Sequence, residues 1–202
     1  MLLSQKLNSN PNVRGKESEI PLQQFEKGDE ITVLDSSMWQ VYRGVVQLSR
    51  VQPNGNETIL GWVTANGIFG DCLNASNESY RAEALSNVYA RHYVSQDVIK
   101  HPLLARQFLA QFSDRLIKSE QLLSIIAVKR VDERFKQLLL MLKKDIGQSV
   151  DAGTRLQVRF THQQLAEAIC TTRVTITRIM GDFQNKNLIY LDGDRHIVCT
   201  HL

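Results

Sequence analysis

The sequence predicts an α+β chain: an antiparallel β domain, one long helix, then a helix-turn-helix with a β wing. Three observations predict it. Between Ile20 and about Tyr93, short apolar runs are cut by glycine-bearing turns. From His101 the apolar period changes from that of a strand to that of a helix. Near the C-terminus two short helical segments precede an Asp192-Gly193 hairpin signal.

The bulk properties are those of an ordinary globular chain. It has 202 residues, 43% hydrophobic and 22% charged, enough to bury one large or two small cores. No apolar run approaches the roughly 18 residues of a membrane span. The apolar core of the first residues is too short for a secretory signal. These features lead us to expect a cytoplasmic protein without a membrane partner. Cys72, Cys170 and Cys199 are odd in number and widely spaced, which fits neither a disulfide framework nor a metal site. They are expected to be reduced and mostly buried. The net charge is +3, and residues 129–202 carry 12 Lys/Arg against 8 Asp/Glu. A positive C-terminal third suggests a polyanionic partner there.

Residues 1–18 are polar and read as a flexible lead-in. Residues 19–100 form the β domain. Its turns fall at KGDE (27–30), RG (43–44), PNGNE (53–57), NG (66–67) and FGD (69–71). The runs between them, QVYR, VVQLSRV, TILGWV and RAEALSNVYA, are its strands. Trp39, Tyr42, Val46, Leu48, Ile59, Leu60, Trp62 and Phe69 are its expected core.

Residues 101–128 form the long helix, opened by Pro102. Ala105, Leu109, Phe112, Leu116, Ser119, Leu123 and Ile126 recur by four and three, a heptad seam. At 1.5 Å per residue the helix reaches roughly 40 Å. A β domain of this size does not cover all of it, so part of the seam is expected to meet a second copy. The other reading is an amphipathic helix lying on its own sheet.

Residues 129–202 form the last unit. VDERFKQLLLMLKKDIG is a helix with Phe135, Leu138, Leu139 and Leu142 on one face. Lys143 and Lys144 favour its C-terminal dipole, and Gly147 ends it. QSVDAGTR reads as a loop and LQVRF as a short strand. In THQQLAEAI, Thr161 and Gln164 form a capping box. Cys170-Thr171 makes a turn, and Thr172 caps a second helix on which Val174 or Thr175, Ile176, Ile179, Met180 and Phe183 alternate between buried and exposed faces. In such a unit the second helix enters the major groove. Arg173 is the expected base reader, because a guanidinium fork matches guanine O6 and N7. Arg178 reads a base or a phosphate. Thr161, His162, Thr172, Thr175 and Thr177 are expected phosphate contacts, and Val174 meets a thymine methyl. NLIYLDGDRHIVCTHL supplies the wing.

On these residues the chain resembles the Crp/Fnr family of transcription regulators, and within it the cyanobacterial nitrogen-control branch. THQQLAEAICTTRVTITRIMGDFQNKNLI carries the likeness to the branch; RGVVQLSR, the IFGD turn and RLIKSEQ carry that to the family. The resemblance implies a cupin-like β-roll effector domain, a dimerisation helix and a winged DNA-binding domain. It implies a homodimer on a palindromic double-stranded DNA site with GTA-like half-sites. It also implies action on RNA polymerase, with 147–159 as the matching contact region.

In the family an anionic effector binds a Gly-containing turn and an arginine on the next strand. Here the turn is Phe69-Gly70-Asp71-Cys72, and the arginine position falls at Glu78. At about 5 Å and an effective dielectric near 20, each like-charge contact costs about 3 kcal/mol. Arg81 is close but alternates to the opposite strand face. Arg115 and Glu120 match residues that hold 2-oxoglutarate in the nitrogen branch. Cyclic AMP is therefore not expected to bind, and 2-oxoglutarate is expected to be weak or absent. The sequence lacks the N-terminal cysteine cluster of an iron–sulfur oxygen sensor. Catalysis is not expected either: Cys170 and His162 lie eight residues apart with no oxyanion-hole or phosphate-loop sequence. The alternative is a ligand-sensing module that acts through a protein partner with weak or no DNA binding. Arg173 and Arg178 argue against it.

Overall fold

The computed structural model describes residues 20–53, 55, 57–70 and 80–202. The lead-in at 1–18 and the positions Asp71, Cys72 and Glu78 lie outside them. Seven strands come first: β1 (Leu22–Phe25), β2 (Ser37–Arg43), β3 (Val46–Val51), β4 (Glu57–Val63), β5 (Ile68–Gly70), β6 (Tyr80–Ala84) and β7 (Val88–Val94). They pair antiparallel in two sheets, ordered β1-β7-β2-β5 and β4-β3-β6. Register shifts interrupt the ladders between Val41 and Arg43 and between Leu48 and Ser49, the kind of irregularity at which a strand bends. Trp39, Val41, Val46, Leu48, Phe69, Val88 and Ala90 fill the space between. The α+β class is as expected.

Several strand assignments need correction. RAEALSNVYA is two strands, β6 and β7. They belong to different sheets, and residues 85–87 make the crossing. Leu85 N–H donates to Val45 O, and Ser86 Oγ accepts from Val45 N–H. Tyr42 is 41% exposed rather than in the core. Its hydroxyl lies 3.2 Å from Gln40 Oε1, and the Arg91 guanidinium stacks on its ring at 4.9 Å. Leu60 is only half-buried at the core's edge. A short helix, α1 (Ser95–Lys100), follows β7 and was not expected.

Helix α2 (Pro102–Ile126) has two apolar faces. Phe108, Leu122 and Ile125 are buried against the rest of the chain. Leu109, Leu116 and Leu123 are 68%, 60% and 68% exposed. The other seam residues, Ala105, Phe112, Ser119 and Ile126, are half-buried between the two.

Helix α3 (Val131–Ile146) places Asp132 and Glu133 in its first turn and Lys143 and Lys144 in its last, the order its dipole favours. Phe135, Leu138, Leu139, Met141, Leu142 and Ile146 are buried. The expected loop at 148–155 is instead a hairpin, β8 (Gly147–Val150) with β9 (Gly153–Leu156). The strand expected over 156–160 ends at its first residue, Leu156. Gly153, at φ +141°, makes the tight turn possible, and a Cβ there would meet Cys199 O at 2.2 Å. Helices α4 (His162–Ala168) and α5 (Arg173–Asn185) precede β10 (Ile189–Leu191) and β11 (Ile197–Cys199). The last sheet runs β10-β11-β9-β8.

One cluster spans both ends of the chain. Val45, Ile59, Trp62 and Leu85 of the β domain are buried with α3, Phe160, α4 and α5. Trp62 meets Phe160 edge-on, with ring centroids 5.6 Å apart. Ile59 and Trp62, expected in the β core, therefore serve this second core. Among the cysteines, Cys199 is buried and its burial pushes the thiol up to about 11, whereas Cys170 is exposed.

Gly153→Ala is expected to cost about 1–3 kcal/mol, because the backbone conformation is strained and the carbonyl of Cys199 blocks the methyl. Gly193→Ala, with nothing within 4 Å of its Cβ position, should stay within about 0.5 kcal/mol. Urea unfolding of the two variants measures the contrast.

Candidate nucleic-acid interface

The capping box is complete. Gln164 N–H donates to Thr161 Oγ1 at 3.1 Å, and Thr161 N–H donates to Gln164 Oε1 at 2.9 Å. Leu165, Ala166 and Ala168 turn α4 inward. The turn to α5 places Cys170 at φ +53°, the left-handed conformation that usually calls for glycine. Thr171 N–H closes it on Ala166 O at 2.9 Å. Thr172 Oγ1 then accepts from Thr175 N–H at 3.1 Å and starts α5.

Arg134 was missed in the sequence, where it looks like any charge on an amphipathic helix. Its guanidinium donates to Val128 O at 2.8 Å and to Ile169 O at 2.9 Å. It ties the α2–α3 junction to the turn between α4 and α5. No local signal marks it, because both acceptors are backbone carbonyls, and Ile169 lies 35 residues away along the chain.

Ile176, Ile179, Met180 and Phe183 are buried, so the opposite face of α5 is exposed. It carries Arg173, Val174 (78% exposed), Thr177 and Arg178. Arg173 makes no side-chain hydrogen bond or ion pair among the described residues. Arg178 Nη1 lies 3.3 Å from Asp182, an exposed pair one turn apart, worth little in water. Thr177 Oγ1 donates to Arg173 O at 2.9 Å and lies 2.7 Å from His162 Nδ1. The hydroxyl's one proton is used, so Nδ1 is the donor in the second contact. This bond joins the first turn of α4 to α5. Thr172 and Thr175 share a further bond at 2.8 Å between their hydroxyls. These threonines brace the two helices; Arg173 and Val174 stand clear of the network.

A groove of about 420 Å³ runs beside α5, between it and the start of α3. Arg130, Arg178 and Lys186 line it together with Asp132 and Asp182. The Arg130 guanidinium, 2.6 Å from Asp132 Oδ2, holds that carboxyl below the usual range.

The wing turn is longer than the Asp-Gly pair suggests. Five residues, 192–196, separate β10 from β11, and the left-handed residue is Arg195 at φ +62°, not Gly193. The cause is Asp192, whose Oδ1 accepts from Asp194 N–H and His196 N–H. Arg155 on β9 holds the same carboxylate and reaches Asp194 at 3.4 Å.

Five of the expected effector residues are described. Phe69 is fully buried in the β core. Gly70 ends β5 at φ +123°. Arg81 lies among Glu30, Glu57 and Glu83, at 3.3, 3.7 and 3.5 Å. Arg115 donates to the Tyr80 hydroxyl at 3.2 Å, and burial raises the pKa of that tyrosine. Glu120 is exposed on α2. Among the described residues no helix is long and apolar enough to cross a membrane, and no His/Cys/Asp/Glu group could hold a metal ion.

Residues 133–202 match the model of the Crp-like helix-turn-helix domain. The chain is 31% identical over 190 residues to the global nitrogen regulator of Synechococcus elongatus, covering 88% of this chain and 86% of that one. It is 32% identical over 155 residues to the global nitrogen regulator of Synechocystis sp., covering 73% and 69%. A Crp-family transcriptional regulator of Thermus thermophilus superposes with a TM-score of 0.78 over 89% of this chain and 92% of that one, at 16% identity. That last likeness is one of fold.

Arg155 depresses the Asp192 carboxyl by hydrogen bonding. The bond's contribution is therefore complete above the ordinary carboxylate pKa of about 4, and is lost as pH falls through the depressed value. The melting-temperature gap between the parent chain and Asp192→Asn is expected to be widest above about pH 4 and to narrow below it. Thermal scans between neutral and acid pH test this.

Proposed function

The chain belongs to the Crp/Fnr family of transcription regulators, and from that premise we propose how it reads DNA. It is a DNA-binding regulator with a helix-turn-helix domain. Two copies pair through Leu109, Leu116 and Leu123 of α2. Each copy presents α5 to one half-site of a palindrome with GTA-like ends. Arg173 reads a guanine edge from the first turn of α5, and Val174 lies against a thymine methyl. Arg178, tethered only by its exposed pair with Asp182, reaches a second base or a phosphate. Thr161, His162, Thr172, Thr175 and Thr177 set the helix against the backbone. The segment 147–159, which begins with the β8–β9 hairpin, is the surface offered to RNA polymerase. Such a protein works in the cytoplasm.

The observation that carries this reading is the exposed guanidinium of Arg173 beside the Thr172 cap, which has no side-chain partner among the described residues. A reader must be free to exchange water for a base edge. Arg173 is free, whereas Arg134 and Arg155 are committed to structural partners.

Cyclic AMP does not bind in this reading, and 2-oxoglutarate binds weakly or not at all. Arg81 is neutralised by three carboxylates, and Arg115 is engaged with Tyr80. Neither is available to pair with an incoming anion without giving up a partner.

Gel shifts on inverted-repeat DNA test the recognition. Arg173→Ala should cost about 1–3 kcal/mol and relax preference at one base position. A uniform loss across all sequences would make Arg173 a phosphate contact instead. Calorimetric titration should show no micromolar binding of either effector, and micromolar binding of one of them would overturn this part of the reading.

A further inference from the structure

The ion pair on α5 runs against the helix dipole. Arg178 precedes Asp182 by one turn, and the two side chains meet at 3.3 Å, Nη1 to Oδ2. A helix gains more from the opposite order, with the carboxylate nearer the N-terminus and the cation nearer the C-terminus. The first turn of α5 has no acidic residue and its last turn no basic one. Both side chains are exposed, Arg178 by 71% and Asp182 by 51%, so the pair adds little in water. Helix stability does not account for it.

The groove beside α5 leaves Asp182 to Arg178. Asp132, the other carboxylate lining it, gives both oxygens to Arg130, at 3.1 and 2.6 Å. Among the described residues the Asp182 carboxylate pairs with Arg178 and with no other cation. A guanidinium offers acceptors two edges, Nε with Nη2 and Nη1 with Nη2. Asp182 takes Nη1 and leaves the Nε–Nη2 edge whole. That edge fits O6 and N7 of guanine. A phosphate fits it in shape, but it is an anion and would settle beside the Asp182 carboxylate. A base edge carries no net charge and meets no such repulsion. The repulsion grows as α5 displaces water from the major groove and the effective dielectric falls.

We propose that Asp182 is a positioning residue that commits Arg178 to a base edge rather than to a phosphate. The inference rests on the reading of α5 as the recognition helix, and it decides between the two contacts open to Arg178 there. Asp182 touches no base itself. It holds one end of the guanidinium and cancels its charge, so the DNA backbone does not draw Arg178 away.

Gel shifts of the full chain provide the test, on an inverted-repeat duplex and on duplexes with each half-site position changed in turn, at several salt concentrations. Arg178→Ala identifies the position that Arg178 reads. Asp182→Asn should lower discrimination at that same position roughly fivefold or more. It should also steepen the slope of log affinity against log salt by about 0.9 for each half-site, the mark of one added phosphate contact. Asp182→Glu keeps the charge and should stay within about threefold of the parent chain. Neither side chain is buried, so the variants fold. Asp182→Asn with the parent's base profile overturns the role, whether its affinity is kept or lowered throughout. A loss at a position other than that of Arg178 makes Asp182 a reader in its own right and overturns it as well. So does a uniform loss in Arg178→Ala, which makes that arginine a phosphate contact. A parent chain that ignores the inverted repeat overturns the reading of α5 and this inference with it.

Discussion

The burial of one face of α5 is the constraint on which the rest depends. Ile176, Ile179, Met180 and Phe183 recur at helical spacing and are all buried. Each such side chain contributes about 1.5–3 kcal/mol when removed from water. Phe183 meets Phe135 of α3 with ring centroids 5.3 Å apart, so α5 cannot rotate about its axis without breaking that contact. Once this face is held, the opposite one has a single direction. Arg173, Val174, Thr177 and Arg178 share it because the helix repeats every 3.6 residues.

Around that helix the polar groups fall into two sets. One set is held by bonds within the fold. Thr161 and Gln164 close a reciprocal cap, Thr177 and His162 bridge the two helices, and Arg134 and Arg155 are held by carbonyls and carboxylates. The other, Arg173, is left to solvent beside the exposed, apolar Val174. A recognition surface needs both, since rigid placement lowers the entropy lost on binding and free groups supply the contacts.

The second organising feature is the core shared between the two ends of the chain. Val45, Ile59, Trp62 and Leu85 are buried with α3 and the helix-turn-helix, not with the β core alone. The β domain is therefore packed against the unit that carries α5, and Trp62 of β4 meets Phe160. Helix α2 adds a different boundary. Its inner face is buried within the chain, while Leu109, Leu116 and Leu123 remain open. Three exposed leucines in a row at heptad spacing are costly in water, and a matching helix would relieve that cost.

Much of this was legible in the sequence because the signals are local. Glycine turns, the change to a helical period at Pro102, the Thr161–Gln164 box and the Thr172 cap each depend on residues within a turn of one another. What the sequence misread depends on distant partners. Residues 148–155 form a hairpin because Gly153 fits under the carbonyl of Cys199. Tyr42 leaves the core for Gln40 and Arg91. Arg195, not Gly193, takes the left-handed turn because Asp192 holds two backbone N–H groups. The sequence by itself determined the order of the β domain, the long helix and the helix-turn-helix, and the caps of α4 and α5, since each follows from short-range periodicity and hydrogen bonding. Only the tertiary structure decided that Trp62 and Ile59 join the C-terminal core, that Arg134 locks the helix-turn-helix to α3, and which arginines stay free. Those outcomes follow from which side chains meet across the fold, and chain spacing holds no information about that.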